Sequence, residues 1–453
     1  MPINSPSNKD LWFLPLGGCG EIGMNLNLYG HNGKWLMVDC GVSFAHEADP
    51  AQGIKKDDII CADPRFIADR RGDLAGIIIT HAHEDHIGAL PYLWQQFQCP
   101  VYTTPFTAHV LQRKLAEVNL LDAVPINIVD TDARIHIGDF DVEWITLTHS
   151  IPEPQALVIR TACGSIFHTA DWKIDAHPQV GEAFNENKIK SLKKHNITAM
   201  VCDSTNATHA GHSLSEYEVY KGLLEVISQQ KQRVIATCFG SNVARMQSLV
   251  KVANKTQRYA ALLGRSLHNM KRSASACNYW PEDLKTIAPS HLGFLPREEV
   301  LAIATGSQGD EFSALDRLSQ HMHRDVDLEA GDTVIFSSKT IPGNEKAIEK
   351  VVNRFTNAGI NIINEENHST PIHATGHPCE DELRDMYRWV QPRIAIPVHG
   401  EDKHIKANAI IANSEDIGTQ MCGQNGDLFQ IAPQVKIQRQ FTQAGRIKIT
   451  RPS

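Results

Sequence analysis

Thr80-His81-Ala82-His83-Glu84-Asp85-His86 is the stretch whose reading decides the fold. Leu74 to Ile79, just before it, is apolar and rich in β-branched residues, which predicts a buried strand. Ile87 to Phe97, just after it, has apolar residues at helical spacing and predicts a helix. Four potential metal ligands, His81, His83, Asp85 and His86, therefore stand in a strand-to-helix turn. Imidazole and carboxylate donors suit Zn²⁺, and also Mn²⁺ or Fe²⁺. In a turned segment His81 and His83 can converge on one ion, and Asp85 and His86 can face a second. The competing reading is a solvated polar loop. A lone HxH pair would leave that reading standing; three histidines and one aspartate within six positions, straight after a strand, do not.

Outward from that turn, the same placement recurs. The predicted strands Lys34 to Val38, Asp139 to Leu147, Ser165 to His168, Ala199 to Cys202 and Ile394 to Val398 are followed at once by Asp39, His149, Asp171, Asp203 and His399. Any one of these is ordinary as a cap or turn residue. Together with His81 they point to a shared site at one edge of a layered α/β fold, where strands stop and loops begin. Trp12 to Leu16, Asn25 to Tyr29 and Pro100 to Thr103 are further strands, and Thr107 to Leu120 a helix. Residues 44 to 73 read as a long polar excursion. His168 reads as a core histidine.

Residues 207 to about 364 form a different pattern. Three strands, Gln232 to Phe239, Glu299 to Ala304 and Thr333 to Phe336, each run into a Gly/Ser turn that opens a helix: Gly240-Ser241-Asn242, Gly306-Ser307-Gln308-Gly309, and Ser337 to Asn344. This predicts a small parallel-sheet domain inserted between Asp203 and the ligand candidates after it. Helix N-termini of this kind hold phosphates, and equally serve as plain Ser/Asn caps. No GxxxxGK[ST] or GxGxxG run occurs, which argues against a nucleotide cofactor. From Val226 to Pro281 there is no Asp or Glu, but there are nine cations: Lys231, Arg233, Arg245, Lys251, Lys255, Arg258, Arg265, Lys271 and Arg272. That asymmetry suggests a surface for a polyanion on a chain whose net charge is -8.

The 453 residues are enough for two or three domains. Ten scattered cysteines without a CxxC pair suggest reduced thiols in a cytoplasm rather than a cysteine zinc site. The polar start, Met1 to Asp10, and the lack of a long apolar run predict neither a signal segment nor a membrane span.

At this point the residues resemble a known family. The histidine turn, with His149 and Asp171 after later strands, resembles the metallo-β-lactamase superfamily. The insert, with Asp203 before it and His377 and His399 after it, resembles the β-CASP group. Within that group the chain is similar to the ribonuclease J family, through Gly17-Gly-Cys-Gly-Glu-Ile-Gly23, Thr148-His-Ser-Ile-Pro-Glu153, Asp203-Ser-Thr-Asn206, Gly264-Arg-Ser-Leu-His268, Gly306-Ser-Gln-Gly309, Ile341-Pro-Gly-Asn-Glu345 and Pro397-Val-His-Gly-Glu401. The resemblance implies an α/β architecture: an αββα sandwich (1–206 and 365–453) interrupted by a β-CASP domain (207–364). It implies two Zn²⁺, or Mn²⁺ or Mg²⁺ in their place, with His81, His83 and His149 on one ion and Asp85, His86 and His399 on the other. Asp171 would bridge them, and Asp39 would orient a ligand histidine from behind. The water between the ions would attack phosphorus in an RNA backbone. Asp85, Asp171, Asp203 and His377 form the expected catalytic set, His377 lying against the scissile phosphate. Ser241, Asn242, Arg265, His268, Ser307, Gln308 and His377 are the expected RNA or phosphate contacts. The implied activity is endonucleolytic, 5′-to-3′ exonucleolytic, or both.

Two features depart from the family. The family's usual C-terminal domain, which aids assembly, is not expected here, and the assembly expected is a homodimer. The run S-G-H-x-S is replaced by Thr375-Gly376-His377-Pro378-Cys379, which removes a backbone donor and weakens another where an RNA 5′ end is held. A small-molecule hydrolase of the same superfamily, a DNA nuclease of the β-CASP group and a non-catalytic RNA-binding scaffold are the alternatives. The first would need neither the insert nor His377, and the last would not need all seven ligands.

Overall fold

The computed structural model describes residues 5–450 except His46 and Pro342. Part of the Met1 to Asp10 segment and the proline of the Ile341 to Glu345 run therefore lie outside the described residues.

Two large sheets stack face to face. The first begins as a meander: Leu11–Gly17 pairs antiparallel with Leu26–His31, which pairs antiparallel with Lys34–Val38. Asn32 and Gly33, both at positive φ, make the tight turn between the last two, as a two-residue hairpin requires. Leu74–Ile78, Val101–Thr103 and Ile126–Ile128 then add in parallel. Leu428–Ala432 and Lys436–Gln438 close the other side, giving eight strands. The second sheet has seven. Arg134–Ile137, Phe140–Thr146, Gln155–Thr161 and Gly164–His168 are antiparallel, and Ala199–Asp203, Ile394–Val398 and Thr419–Gln420 follow in parallel.

Alternation along each strand divides the core into layers. Leu36 and Val38 face Trp144, Leu157, Val201 and Ile396 between the sheets. Trp35 and Met37, one position off, face outward onto Leu90, Leu93, Phe97 and Leu111. On the far side Phe167 and Met200 pack under Leu383, Tyr387 and Ile411. Helices thus cover both outer faces, and the architecture is the αββα sandwich that the sequence implies.

The insert is a five-stranded, all-parallel sheet in the order Tyr259–Leu263, Val300–Ala304, Val234–Thr237, Thr333–Phe336, Asn361–Ile363, with a core on each face. Three of these strands were expected; Tyr259–Leu263 and Asn361–Ile363 are additional. The first lies inside the acid-free stretch and is buried along its length after an exposed Tyr259.

Three other expectations need correction. The excursion at 44–73 contains Ile59–Ala62, which joins Val42–Phe44 and Arg446–Lys448 in a three-stranded sheet. The helix expected from Ile87 to Phe97 is divided into Glu84–Ile87 and Leu90–Phe97, the second having Pro91 in its first turn, where a missing N–H costs nothing. The helix expected from Glu311 starts at Ala314, because Phe312 takes a left-handed φ and Ser313 caps the helix by accepting from the Asp316 N–H.

Candidate metal centre

Ala199–Asp203 and Ile394–Val398 are neighbours in one sheet, with Asp203 opposite Val398, although the insert separates them in sequence. Asp203 and His399 therefore leave the sheet at one edge. Leu74–Ile78, Phe140–Thr146 and Gly164–His168 bring the histidine turn, His149 and Asp171 to the same place, and the ligand atoms form overlapping groups within 4.8 Å.

Two sets can be separated. In the first, His83 Nδ1 lies 3.1 Å from His81 Nε2 and 3.0 Å from His149 Nε2. Asp171 Oδ2 is 3.9 Å and 3.8 Å from the same two Nε2 atoms. In the second, Asp85 Oδ2 is 3.5 Å from His86 Nε2 and 3.3 Å from His399 Nε2. Asp171 reaches this set too, Oδ2 being 3.2 Å from His86 Nε2 and Oδ1 3.5 Å from His399 Nδ1.

The hydrogen bonds behind the rings decide which nitrogens carry lone pairs. His86 Nδ1–H donates to Asp39 Oδ2 at 2.7 Å. His149 Nδ1–H donates to the Gly376 carbonyl at 2.5 Å. Thr205 Oγ1 donates to Asp203 Oδ1 at 2.8 Å, so its oxygen accepts from His399 Nδ1–H at 3.0 Å. His86, His149 and His399 therefore all turn Nε2 inward, where the neutral ring offers a lone pair. Several lone pairs and two carboxylates at such spacings repel one another unless a cation lies among them, so the donor set fits metal ions.

Burial acts on the two sets differently. Desolvation, helped by the neighbouring histidines, depresses His81 and His149, and desolvation brings His83 down to about 4. These rings are neutral and ready to ligate. Desolvation also works against charge on His86 and His399, but Asp171 outweighs it at both, with Asp39 and Asp85 at the first and Asp203 and Asp85 at the second, and both are held well above the usual imidazole range. Desolvation opposes ionisation of Asp85 and Asp171, yet the adjacent histidines hold both far below the usual carboxylate range.

Local structure keeps these atoms in place. Asn25 donates twice to the Asp85 carbonyl, from its N–H at 2.9 Å and from Nδ2 at 3.0 Å. Gly41 lies so close that a Cβ there would sit 1.7 Å from the same carbonyl oxygen. Asp39, in the left-handed region, takes Thr80 N–H and Thr80 Oγ1–H as well as His86, and Thr80 Oγ1 lies 3.0 Å from His81 Nδ1. One buried carboxylate thus braces a histidine of each set. Asp203 Oδ2 accepts from His377 Nδ1 at 2.7 Å, and His377 is the more open of that pair. His168 lies behind the centre as a core residue, its Nδ1 accepting from Tyr29.

Thr80, Thr205, Asn25 and Gly376 were not singled out from sequence. Thr80 and Thr205 stand inside the quoted motifs, which is the signal that marks them. Gly376 stands in the quoted run Thr375 to Cys379 but acts through its carbonyl, and Asn25, at the start of a predicted strand, carries no such mark.

The expected RNA contacts divide. Ser241, Arg265 and His268 remain accessible. Asn242 is buried and caps Val243–Lys255, its Oδ1 accepting from the Arg245 N–H. Gln308 is buried and ties the loop after Thr333–Phe336, donating to the Lys339 carbonyl and accepting from Ile341 N–H and Asn344 Nδ2. Ser307 is buried beside it. The acid-free stretch is not one polyanion surface. Arg245 is wholly buried on Glu216, Ser337 and Ile372; Arg233 is buried on Asp332; and Arg258 spends its donors on the Gln230, Gln232 and Val300 carbonyls. The acids that neutralise this stretch come from outside it. Lys271 is half-buried over Trp280 and bonded to Thr286.

Family models match three parts of the chain: the metallo-beta-lactamase superfamily at 24–172, the ribonuclease J beta-CASP domain at 231–355, and a Zn-dependent metallo-hydrolase RNA specificity domain at 370–415. Among curated proteins, ribonuclease J of Sinorhizobium meliloti is 42% identical over 94% of this chain and 75% of its own length. The Mycolicibacterium smegmatis ribonuclease J is 36% identical over 89% and 71%, and that of Thermus thermophilus 33% over 92% and 73%. A crystal structure of a protein of unknown function from Enterococcus faecalis shares the fold, with a TM-score of 0.61 at 14% identity, covering 93% of this chain and all of that one.

Proposed function

The chain belongs to the ribonuclease J family, and on that premise we propose that it hydrolyses RNA phosphodiester bonds at the centre built around Asp171. The observation that carries this reading is the placement of the Asp171 carboxylate, which approaches His81 and His149 on one side and His86 and His399 on the other.

In this reading His81, His83 and His149 would hold one Zn²⁺, and Asp85, His86 and His399 a second, with Asp171 beside both sets; Mn²⁺ or Mg²⁺ are the alternatives. Such ions would supply Lewis acidity toward a phosphodiester and would lower the pKa of a nearby water. Asp39 fixes the His86 ring, and through Thr80 the His81 ring, so that the ligand nitrogens stay aimed. Thr205 does the same for His399. Desolvation favours the neutral His377 ring, but Asp203 and Asp171 outweigh it and raise its pKa, which favours the protonated form. Placed against the scissile phosphate, the ring donates that proton to the departing oxygen. Asp203 keeps its Nδ1 side fixed, leaving Nε2 to the substrate.

No described helix is long and apolar enough to cross a membrane. The ten cysteines are all free thiols, which suits the cytoplasm as the place of action. The test is digestion of one labelled RNA carrying a 5′-monophosphate or a 5′-triphosphate, beside its deoxy counterpart, with and without chelator, the products being sized. Chelator-sensitive cleavage of the RNA is expected. Cleavage indifferent to chelation, or confined to DNA, overturns the reading.

A further inference from the structure

A cavity of about 400 Å³ opens on the insert, at the C-terminal ends of Tyr259–Leu263 and Val300–Ala304. Its lining includes three arginines, Arg265, Arg317 and Arg324, against one carboxylate, Asp325, which Arg324 already engages at 3.1 Å. It also includes Phe312 and Met322, which are 77% and 69% exposed on a chain that buries most of its large apolar side chains. Phe312 is held outward by a left-handed backbone (φ 61), a conformation costly for an aromatic residue, and its N–H is fixed on Asp316 at 2.9 Å. Exposed aromatic surface beside unneutralised guanidinium groups is what a nucleotide recognises: a π-face for the base, and cations for its phosphate.

The cavity lies at the C-terminal edge of the insert's own sheet. A line of polar contacts joins it to the metal centre: Asn206 Nδ2 donates to the His377 carbonyl, the Asn206 carbonyl accepts from the His209 N–H, Lys339 Nζ meets the His209 ring at 3.4 Å, and Gln308 holds the Lys339 carbonyl. Gln308 belongs to the loop leaving Val300–Ala304, whose Thr305 lines the cavity. Val300–Ala304 and Tyr259–Leu263 stand one and two strand spacings beyond Val234–Thr237, roughly 5–10 Å along that edge.

We propose that this cavity is a remote nucleotide site, which holds one residue of single-stranded RNA whose scissile bond lies at the metal centre, the base on Phe312 and a phosphate between Arg265, Arg317 and Arg324. It rests on the ribonuclease reading of the metal centre. It predicts that affinity rises in a step once the RNA is long enough to reach both places.

The test uses the full chain with Asp171→Asn, so that RNA is bound without being cut. Phe312→Trp supplies a fluorescent reporter, read as the difference from the chain without it. Quenching by oligoribonucleotides of increasing length, with onset at the length where affinity steps up, is the expected result. Arg317→Ala with Arg324→Ala should abolish the step, weaken the longer RNAs about tenfold, and flatten their log–log salt dependence by about 1.4, or about 0.7 per contact. If Phe312→Trp does not fold, the arginine pair alone is read with end-labelled RNA. No step with length, or a step that persists in the arginine pair, overturns the proposal. So does quenching that saturates with a free nucleoside monophosphate but not with RNA, which would make the cavity a small-molecule site. Failure of the ribonuclease reading shows separately, as absence of chelator-sensitive cleavage by the unmodified chain.

Discussion

Replacing Asp39 with Asn isolates the device that aims the ligand histidines. Asn keeps the size, and it tolerates the left-handed backbone that Asp39 adopts (φ 66), so little strain is added. The carboxylate accepts His86 Nδ1–H on one oxygen at 2.7 Å and Thr80 N–H on the other at 2.8 Å. An amide has one oxygen. With that oxygen on Thr80, its NH₂ faces His86 Nδ1 and forces the tautomer that protonates Nε2, the ligand nitrogen. With it on His86, the buried Thr80 N–H faces another donor. Either way one charge-assisted hydrogen bond is lost, worth about 1.5–3 kcal/mol, which corresponds to roughly 10–150-fold in a dissociation constant. That agrees with the 10–100-fold typical of groups that orient ligands. The assay is competition of Zn²⁺ or Mn²⁺ between the protein and a chromogenic chelator at neutral pH, with thermal unfolding of the metal-free chain as control. The His86 ion should weaken by that factor, and the ion on His81, His83 and His149 by less. Metal affinities within threefold of the parent chain at both sites would refute the reasoning.

Three further outcomes follow from the same geometry. Asp171→Asn should abolish cleavage and weaken both ions together, while binding of RNA to a filter persists; parallel loss of binding would make the centre a binding site first. Arg245→Ala leaves the buried Glu216 charge unpaired, which should cost about 3–5 kcal/mol, read as a lower urea midpoint; unchanged stability with a flatter salt dependence of RNA binding would return Arg245 to the RNA surface. Acid should destabilise the chain through His168 and His373, whose pKa values fall to about 4 and about 3, mainly by burial. The unfolded chain takes up these protons near pH 6.5, so stability is full above that value and is lost as pH falls toward 4. His373→Gln should flatten urea midpoints measured across that range; an equally steep loss would assign the acid sensitivity elsewhere.

The candidate ligands were legible because strand-end chemistry leaves a local mark: an apolar run, then a histidine or aspartate. The histidine turn is the plainest case, and His399 was found by the same rule although the insert stands between it and Asp203. Charge patterning misled because it is local too. Arg233, Arg245 and Arg258 lie in a stretch without acids, yet the first two pair with Asp332 and Glu216, and Arg258 with backbone carbonyls. Burial of an arginine depends on what the fold brings to it, which the neighbouring sequence does not state. Tyr259–Leu263 was overlooked for a related reason. Its five residues, Tyr-Ala-Ala-Leu-Leu, lack β-branching, and its place at a sheet edge comes from pairing with Val300–Ala304.

The chain that follows the insert completes the centre. The segment that returns from the insert supplies the Gly376 carbonyl, which fixes the His149 tautomer, and then His377 and His399. Its approach to His149 leaves no room for a side chain at position 376, where a Cβ would sit 2.5 Å from the imidazole. The insert's own core is anchored to this segment through Arg245, which is bonded to the Ile372 carbonyl, and through Ser337, whose Oγ donates to the same carbonyl at 2.6 Å. Ile372 and Gly376 thus link the core of the insert to the ring of His149, a candidate metal ligand. The Gly376 carbonyl that orients His149 and the His377 ring bonded to Asp203 therefore lie on one run of residues, 372–377, which is tied at Ile372 to the core of the insert.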